Sequence, residues 1–400
     1  SKFRRSNKFG PLYDLITGKA MEQPEHHGAQ PPESALRRWP NYEAAAIGLK
    51  EYWYPVMPSR KLGRKKMSAA RIAGRELCLL RENGKVHVLE NQCPHRGIPL
   101  SMGTREFPGH VACIYHGWVF DVTDGELKHA LPDGPESPIR GTLCVRTFPA
   151  EERLGMIWVW TGDGDPVPLE DDLPEEFLDP AADIFWRQSD SPGNWRYAAE
   201  NGFDESHGKV LHRNSWWLFF NRMSAWNDTE ITRSDDGKWL RRYQRKIVVQ
   251  ADYPGLGRWP RFNFFQRRRK TVQQGSNSHA VDVRLPATLR VRQPGNANWT
   301  HYEWYVPIDD EHYRYTQVAV AWVTGFRRLK WRLRYWTYIL WVHHFGFNNQ
   351  DLMVVPLQNP LKAENLFRPD VSVTAWRRFV DREHRWPTPD TKTQKTEAAE

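Results

Sequence analysis

The sequence predicts an α+β protein: a β-rich N-terminal domain, then a larger α+β domain with an antiparallel sheet and helices. Three observations lead there. The chain has 400 residues, more than one hydrophobic core usually organises. From Trp53 to about Asp165, strand-like runs are punctuated by Asn-Gly and Asp-Gly pairs; further on, strand-like and helical stretches mix. Between the two lies an acidic, Pro-marked connector, residues 168–180. The boundaries expected are an extension over residues 1–45, a first domain over 46–167, a second over 168–386 and a flexible tail over 387–400.

Residues 1–45 are basic at first (Lys2, Arg4, Arg5, Lys8), then rich in Pro, Glu and Gln. They read as an extension that wraps the surface or stays loosely ordered. No apolar run follows the basic residues, so the start does not read as a secretory signal. No uncharged run reaches the ~18 residues that a membrane span requires. Residues 75–80, Asn83-Gly84 and residues 85–89 form a hairpin with a type I′ turn signal. Residues 118–122 with Asp124-Gly125 repeat the device. Residues 155–160 make another apolar strand, and Gly162-Asp163-Gly164-Asp165-Pro166 closes the unit. The second unit begins near Trp186 and runs to about Trp386. Its strand-like stretches include residues 245–250, 300–307 and 313–323, and helical ones surround His207 and Asp351. The final polar residues read as a frayed tail.

Lys and Arg total 57 against 48 Asp and Glu, a net charge of +9 that suits an acidic partner. No nucleic-acid motif accompanies the charge, which excludes nucleic acid as the expected partner. Twenty Trp serve either core packing or a pocket for a large apolar ligand. Of four Cys, Cys78 and Cys144 lie on apolar stretches and read as buried thiols. That suits a reducing compartment, the cytoplasm.

Two short stretches carry the chemistry. Cys93-Pro94-His95 is followed, after seventeen residues, by Cys113-Ile114-Tyr115-His116. Each offers one thiolate and one imidazole, the ligand set of a Rieske [2Fe–2S] centre. A Cys2His2 zinc site uses the same donors, but zinc fingers place a Cys pair before a His pair. One of each per loop favours the cluster. Further along, Glu200-Asn201-Gly202-Phe203-Asp204 leads to His207, with His212 five residues later. A His pair with a distant carboxylate is the facial triad of mononuclear Fe(II) sites. On a regular helix the two would lie about 140° apart, so the helix must start or distort there. A lone pair would more often be structural; an upstream electron-delivering cluster reverses that. Asp351 is the only acidic residue between Glu311 and Glu364 and so the candidate third ligand. Its alternative role is a carboxylate at a helix N-terminus.

The residues following the ligands, His95-Arg96-Gly97 and His116-Gly117-Trp118, carry a resemblance. So do residues 52–57, 162–166, 200–204 with Ser206-His207, 302–308 and 346–349. The chain resembles the terminal oxygenase (alpha) subunit of Rieske non-haem iron aromatic ring-hydroxylating oxygenases, most of all their carbazole 1,9a-dioxygenase branch. Respiratory Rieske proteins add a Cys to each loop where Ile98 and Tyr115 stand here. In the carbazole branch the His pair is one residue closer together. The resemblance implies one [2Fe–2S] cluster and one mononuclear Fe(II) per chain, O2 as co-substrate, a ferredoxin or reductase as electron donor and a homotrimer. It also implies dihydroxylation, at an angular position among others, of a small aromatic or polycyclic substrate. Monooxygenation or N- or O-demethylation of a bulky apolar compound is the alternative, and a pure Rieske electron carrier the one from another class.

In such enzymes an Asp at the position of Asp204 bridges a cluster histidine of the neighbouring subunit to an iron-ligand histidine. Asp204 would lie about 60° from His207 on a helix, nearly the same face; a helix cap is its other reading. Gly202, Phe203, Phe347 and Asn348 adjoin the ligands and are expected to bind substrate. Val281 and His301 join them by resemblance, although His301 would also fit a surface strand. The Arg- and Trp-rich residues 327–345 suit a packed amphipathic helix, a ferredoxin-docking face or peripheral membrane association.

Overall fold

The computed structural model describes residues 39–204, 206–213, 215–216, 226–248, 251–259, 281–292, 299–358 and 364–385. Asn83 and Gly84 both take positive φ, 49° and 80°, as a type I′ turn requires. They join Arg75–Glu82 to Lys85–Glu90 with Glu82 opposite Lys85. Ser68–Ile72 and Thr147–Phe148 complete that four-stranded sheet. The second hairpin, Trp118–Asp121 with Leu127–Ala130, forms with a wider loop than the Asn-Gly turn. There the Asp121 and Asp124 carboxylates accept from the backbone of Thr123 and Glu126 at 2.7 and 2.8 Å. Between the two hairpins Leu80, Leu89, Val111, Phe120 and Leu127 form a small core against the two cluster cysteines.

The second domain is built on a seven-stranded antiparallel sheet. Its order is Ala182–Pro192, His312–Trp322, Trp299–Pro307, Thr288–Arg292, Val281–Arg284, Trp239–Val248 and Trp226–Arg233. The first strand of the sheet starts at Ala182, four residues before Trp186. Side chains alternate between the faces of a strand, and the register decides which ones meet. Tyr302 opposes Val318 and Trp304 opposes Thr316; His301 opposes Ala319, Glu303 opposes Gln317 and Tyr305 opposes Tyr315. The first set packs on the N-terminal domain. Trp304 meets Trp158 and Trp186 edge-on or tilted at 6.0 and 5.7 Å, and Phe177 meets Tyr302 at 4.8 Å. Three of the tryptophans, Trp158, Trp186 and Trp304, meet at this seam. The second set is left for the site.

The connector is not loose. Leu169, Leu173 and Phe177 are buried, and Asp172 accepts from the Trp53 backbone at 3.0 Å and pairs with Arg385 at 2.7 Å. Nor does the extension reach residue 45. Pro40–Ala44 is a helix, Trp39 and Tyr42 are buried, and the Asn41 backbone donates to Asp381 at 2.8 Å. Apolar Trp39 and Tyr42 interrupt the polar stretch, and their burial ties residues 39–45 to the folded domain. Residues 1–38 and the tail over 387–400 lie outside the described residues. Cys78 is buried as expected, but Cys144 is exposed, beside an exposed Leu143. It makes only an isolated bridge to Glu126, so no strand carries it inward.

Arg377, on the helix Val371–Glu383, grips Glu200 through two nitrogens at 2.7 and 2.9 Å. The Tyr42 hydroxyl bonds the same carboxylate. Both ends of the ion pair are buried. Glu200→Ala would leave buried Arg377 with Glu364, at 2.6 Å, as its remaining counterion, so the loss should fall below the ~3–5 kcal/mol that breaking an uncompensated buried pair costs. Thermal melting should show a lower midpoint; an unchanged one would contradict this role.

Residues 325–345 form one helical segment, α-helical over Gly325–Arg334 and π-helical over Tyr335–Phe345. Trp331, Tyr335, Ile339, His343 and His344 are buried against the sheet, while Phe326, Leu329, Leu333, Trp336 and Trp341 face out. Packing thus accounts for one face. No helix among the described residues is long and apolar enough to cross a membrane.

Candidate metal centres and substrate cavity

The two cluster loops share one backbone device. The Cys93 N–H donates to Ile98 and the Gly97 N–H returns to Cys93, at 2.9 and 2.8 Å. Cys113, Trp118 and Gly117 repeat this at 2.8 and 3.0 Å. Gly97 and Gly117 close the turns at φ 76° and 59°, a conformation costly for residues with a side chain. The cysteines are consequently buried, and His95 and His116 are more exposed, their rings 4.6 Å apart. Trp118 stacks on His95 at 4.6 Å. Burial pushes the Cys93 thiol up to about 11, and the neighbouring Cys113 sulfur adds to the rise. Metal coordination removes that proton outright. His116 Nδ1 is buried with no hydrogen-bond partner among the described residues, an atom that a metal would satisfy. Elsewhere two groups of three donors lie within 4.8 Å of one another, but no such group comes from these loops. That spread suits two irons side by side better than one zinc.

The helix Trp195–Phe203 is capped by Asn194, whose side chain accepts from the Arg196 N–H at 3.1 Å, and it stops at Asp204. A one-turn helix, Gly208–Leu211, follows, with His207 just before it and His212 just after. The expected break is therefore real, and it brings the imidazoles to 5.5 Å between ring centres. Asp351 enters from a short 3-10 helix, Asn348–Met353. Its Oδ1 lies 3.3 Å from His207 Nε2 and 3.4 Å from His212 Nε2. All three donors fall within 4.8 Å of one another, close enough for one ion. His212 Nδ1 is 3.0 Å from the Gln350 side-chain oxygen; donating there leaves Nε2 free to ligate. Asn201 Nδ2 donates to Asp351 Oδ1 at 3.0 Å, and Phe347 stacks on His212 at 3.9 Å. Burial would raise Asp351, but hydrogen bonds from His207 and His212 outweigh it and hold the carboxyl far below its usual range. Burial would lower His207; Asp204 and Asp351 together lift it to about 10.

Asp204 does not sit on a helix face shared with His207, since the helix ends at Phe203. A turn brings it there instead. Its Oδ2 is 3.6 Å from His207 Nδ1, and its Oδ1 accepts from the Ser206 backbone at 2.9 Å and hydroxyl at 2.6 Å. Burial would raise this carboxyl, yet His207 and Ser206 hold it below the usual range, so it stays ionised. It both faces His207 and shapes the turn.

A cavity of about 110 Å³ opens beside the triad. Gly202, Val281, His301, Phe347 and Asn348, five of the six residues singled out for substrate, line it. Phe203 does not; it is fully buried in the main core, because the helix turns it away from the triad. His301 is a wall residue and not a surface one, at 1% exposure. Leu289, Val291, Glu303 and Tyr305 complete the same sheet face. Glu303 and Tyr305 escaped the sequence reading although they follow His301 at the strand period of two. Asn201 and Gln350, each beside a singled-out residue, also escaped it.

Residues 52–149 match the Rieske [2Fe-2S] domain family, and residues 160–225 and 264–386 match the homotrimeric ring hydroxylase family. The chain belongs to the Rieske-type ring-hydroxylating oxygenases, oxidoreductases in which it takes the part of terminal oxygenase. It is similar to the terminal oxygenase component of carbazole 1,9a-dioxygenase from Sphingomonas sp, 30% identical over 380 residues, covering 89% of this chain and 98% of that one. The oxygenase subunit of tert-butanol monooxygenase / tert-amyl alcohol desaturase from Aquincola tertiaricarbonis is 35% identical over 301 residues, 68% of this chain and 56% of its own length. Among solved structures, the terminal oxygenase of carbazole 1,9a-dioxygenase from Nocardioides aromaticivorans superposes with a TM-score of 0.73 at 27% identity, covering 88% of this chain and 99% of that one. The reduced oxygenase–ferredoxin complex of carbazole 1,9a-dioxygenase also scores 0.73, at 26% identity and 90% and 96% coverage.

Proposed function

We propose that the chain is the terminal oxygenase of a multicomponent system that takes electrons from a ferredoxin or reductase and dihydroxylates an aromatic or polycyclic substrate with O2. The observation that carries this reading is the convergence of His207, His212 and Asp351 beside a cavity walled by Val281, Leu289 and Val291. When bound, the cluster supplies electrons and an Fe(II) with open positions supplies O2 activation. The chain's own part is positioning. Gln350 and Phe347 hold the His212 ring, Asn201 holds the Asp351 carboxylate, and the apolar strand residues keep water from the cavity. No residue of either cluster loop lines the cavity. That supports electron entry from a neighbouring subunit, with ionised, partly exposed Asp204 accepting from that subunit's cluster histidine. The match to the homotrimeric ring hydroxylase family supports a trimer as the assembly.

Hydroxylation by a single oxygen atom is the second reading, favoured by the likeness to the tert-butanol enzyme. Both are tested by reconstituting the chain with a ferredoxin and reductase under 18O2 and weighing the products from aromatic heterocycles and diaryl ethers. Two labelled oxygens per product support dihydroxylation. One supports the second reading, and electron transfer without any product would overturn both.

A further inference from the structure

Beside the triad, against one face of the sheet, lies a second trio of imidazoles. His301 comes from the strand Trp299–Pro307, and His343 and His344 from the π-helical segment. One ring nitrogen of each lies within 4.8 Å of the other two. Ring centres are 4.6 Å apart for His301 and His343, 5.2 Å for His301 and His344, and 5.7 Å for His343 and His344. All three side chains are buried, at 3% exposure or less. The wider π winding is what turns two successive histidines into the same interior space; such turns often mark functional sites.

Neither ring nitrogen of His344 has a hydrogen-bond partner among the described residues, and His301 Nδ1 has none either. A neutral imidazole carries one N–H donor, and a buried donor left unmatched costs about 1–3 kcal/mol. The other side of His301 is well held. Its Nε2 lies 2.8 Å from Glu303 Oε1. That oxygen also accepts from the Tyr315 hydroxyl at 2.6 Å and from Asn348 Nδ2 at 2.8 Å, and the Tyr305 hydroxyl bonds the second oxygen. Asn348 Nδ2 also stands 2.7 Å from His301 Nε2, so Nε2 has both a donor and an acceptor beside it; in the tautomer that donates from Nε2 to Glu303, Nδ1 keeps a lone pair for a metal. This is the carboxylate–histidine arrangement that orients metal-bound imidazoles.

We propose that His301, His343 and His344 form a second metal site, distinct from the triad, for a divalent transition ion of the zinc type. Three nitrogen donors without a thiolate are the donor set such ions take. Burial, reinforced by the neighbouring histidines, keeps His343 and His344 in the neutral form that ligation needs. His301 and His343 also line the cavity beside the triad, so the site borders the substrate space.

The test compares full-length protein carrying His207→Ala/Asp351→Ala, which removes the first site, with the same protein carrying His344→Gln as well. Each is incubated with Zn2+, freed of loose metal by gel filtration and measured for zinc and iron. Stoichiometric zinc in the first and its loss in the second, with an imidazole-only shell in zinc X-ray absorption, is the expected result. His344→Gln alone should keep the mononuclear iron. Equal zinc in both proteins, or a carboxylate oxygen in the zinc shell, overturns the proposal. Visible absorption of the cluster checks folding, and His301→Gln replaces His344→Gln if that variant fails the check.

Discussion

Replacing Asp351 by alanine should strip the mononuclear iron from the protein and leave the cluster irons in place. Asp351 Oδ1 is the shared neighbour of His207 Nε2 and His212 Nε2, and it is the only negative charge in the trio. Without it, two imidazoles remain to hold a hard divalent ion, and His207 loses one of the two carboxylates that orient it. Removing even a group that only orients a ligand costs roughly 10–100-fold in affinity or activity; removing the carboxylate ligand should exceed that, with product formation falling by more than about 100-fold. Iron analysis, the visible spectrum of the cluster and product yield on the same sample check it. Retained iron together with full turnover would remove Asp351 from the site.

Asp204→Asn should be nearly as damaging to turnover while sparing both metals. Asparagine keeps an oxygen for the Ser206 backbone and hydroxyl, so the turn between the two helices survives. What disappears is the negative charge facing His207 Nδ1 at 3.6 Å. If Asp204 links the two centres across subunits, the reduced cluster should form normally and then be reoxidised slowly by O2 and substrate. A fall in that rate of roughly 10–100-fold, the usual cost of losing such a partner, is the expected result. A purely capping role predicts an unchanged rate, since Asn caps as well as Asp. Unchanged iron content and melting temperature confirm that only the charge was removed.

The candidate site was unevenly legible. The cluster loops could be read directly because each holds its Cys and His within three positions, with the glycine that closes the turn four residues after the cysteine. The His207 and His212 pair could be read only with the condition that the helix break, and the break occurs at Asp204. Phe203 was misplaced for the same reason: proximity to Asp204 in the chain says nothing about which side of a terminating helix faces the metal. Glu303 and Tyr305 were missed because a buried carboxylate beside tyrosines carries no signal until the strand register puts His301, Glu303 and Tyr305 on one face. The extension ran too far because polarity continues past residue 38, whereas two buried aromatic side chains, Trp39 and Tyr42, pack residues 39–45 into the fold.

The residues alone determined the class of chemistry: thiolates and imidazoles at those spacings select iron, and the order of strand-like and mixed stretches settles the two-domain plan. Only the tertiary structure decided that Asp351 reaches His207 and His212, and which sheet face became a wall of the cavity. The physical reason is that ligand type is a property of a side chain, while convergence depends on long-range strand pairing and on where helices stop.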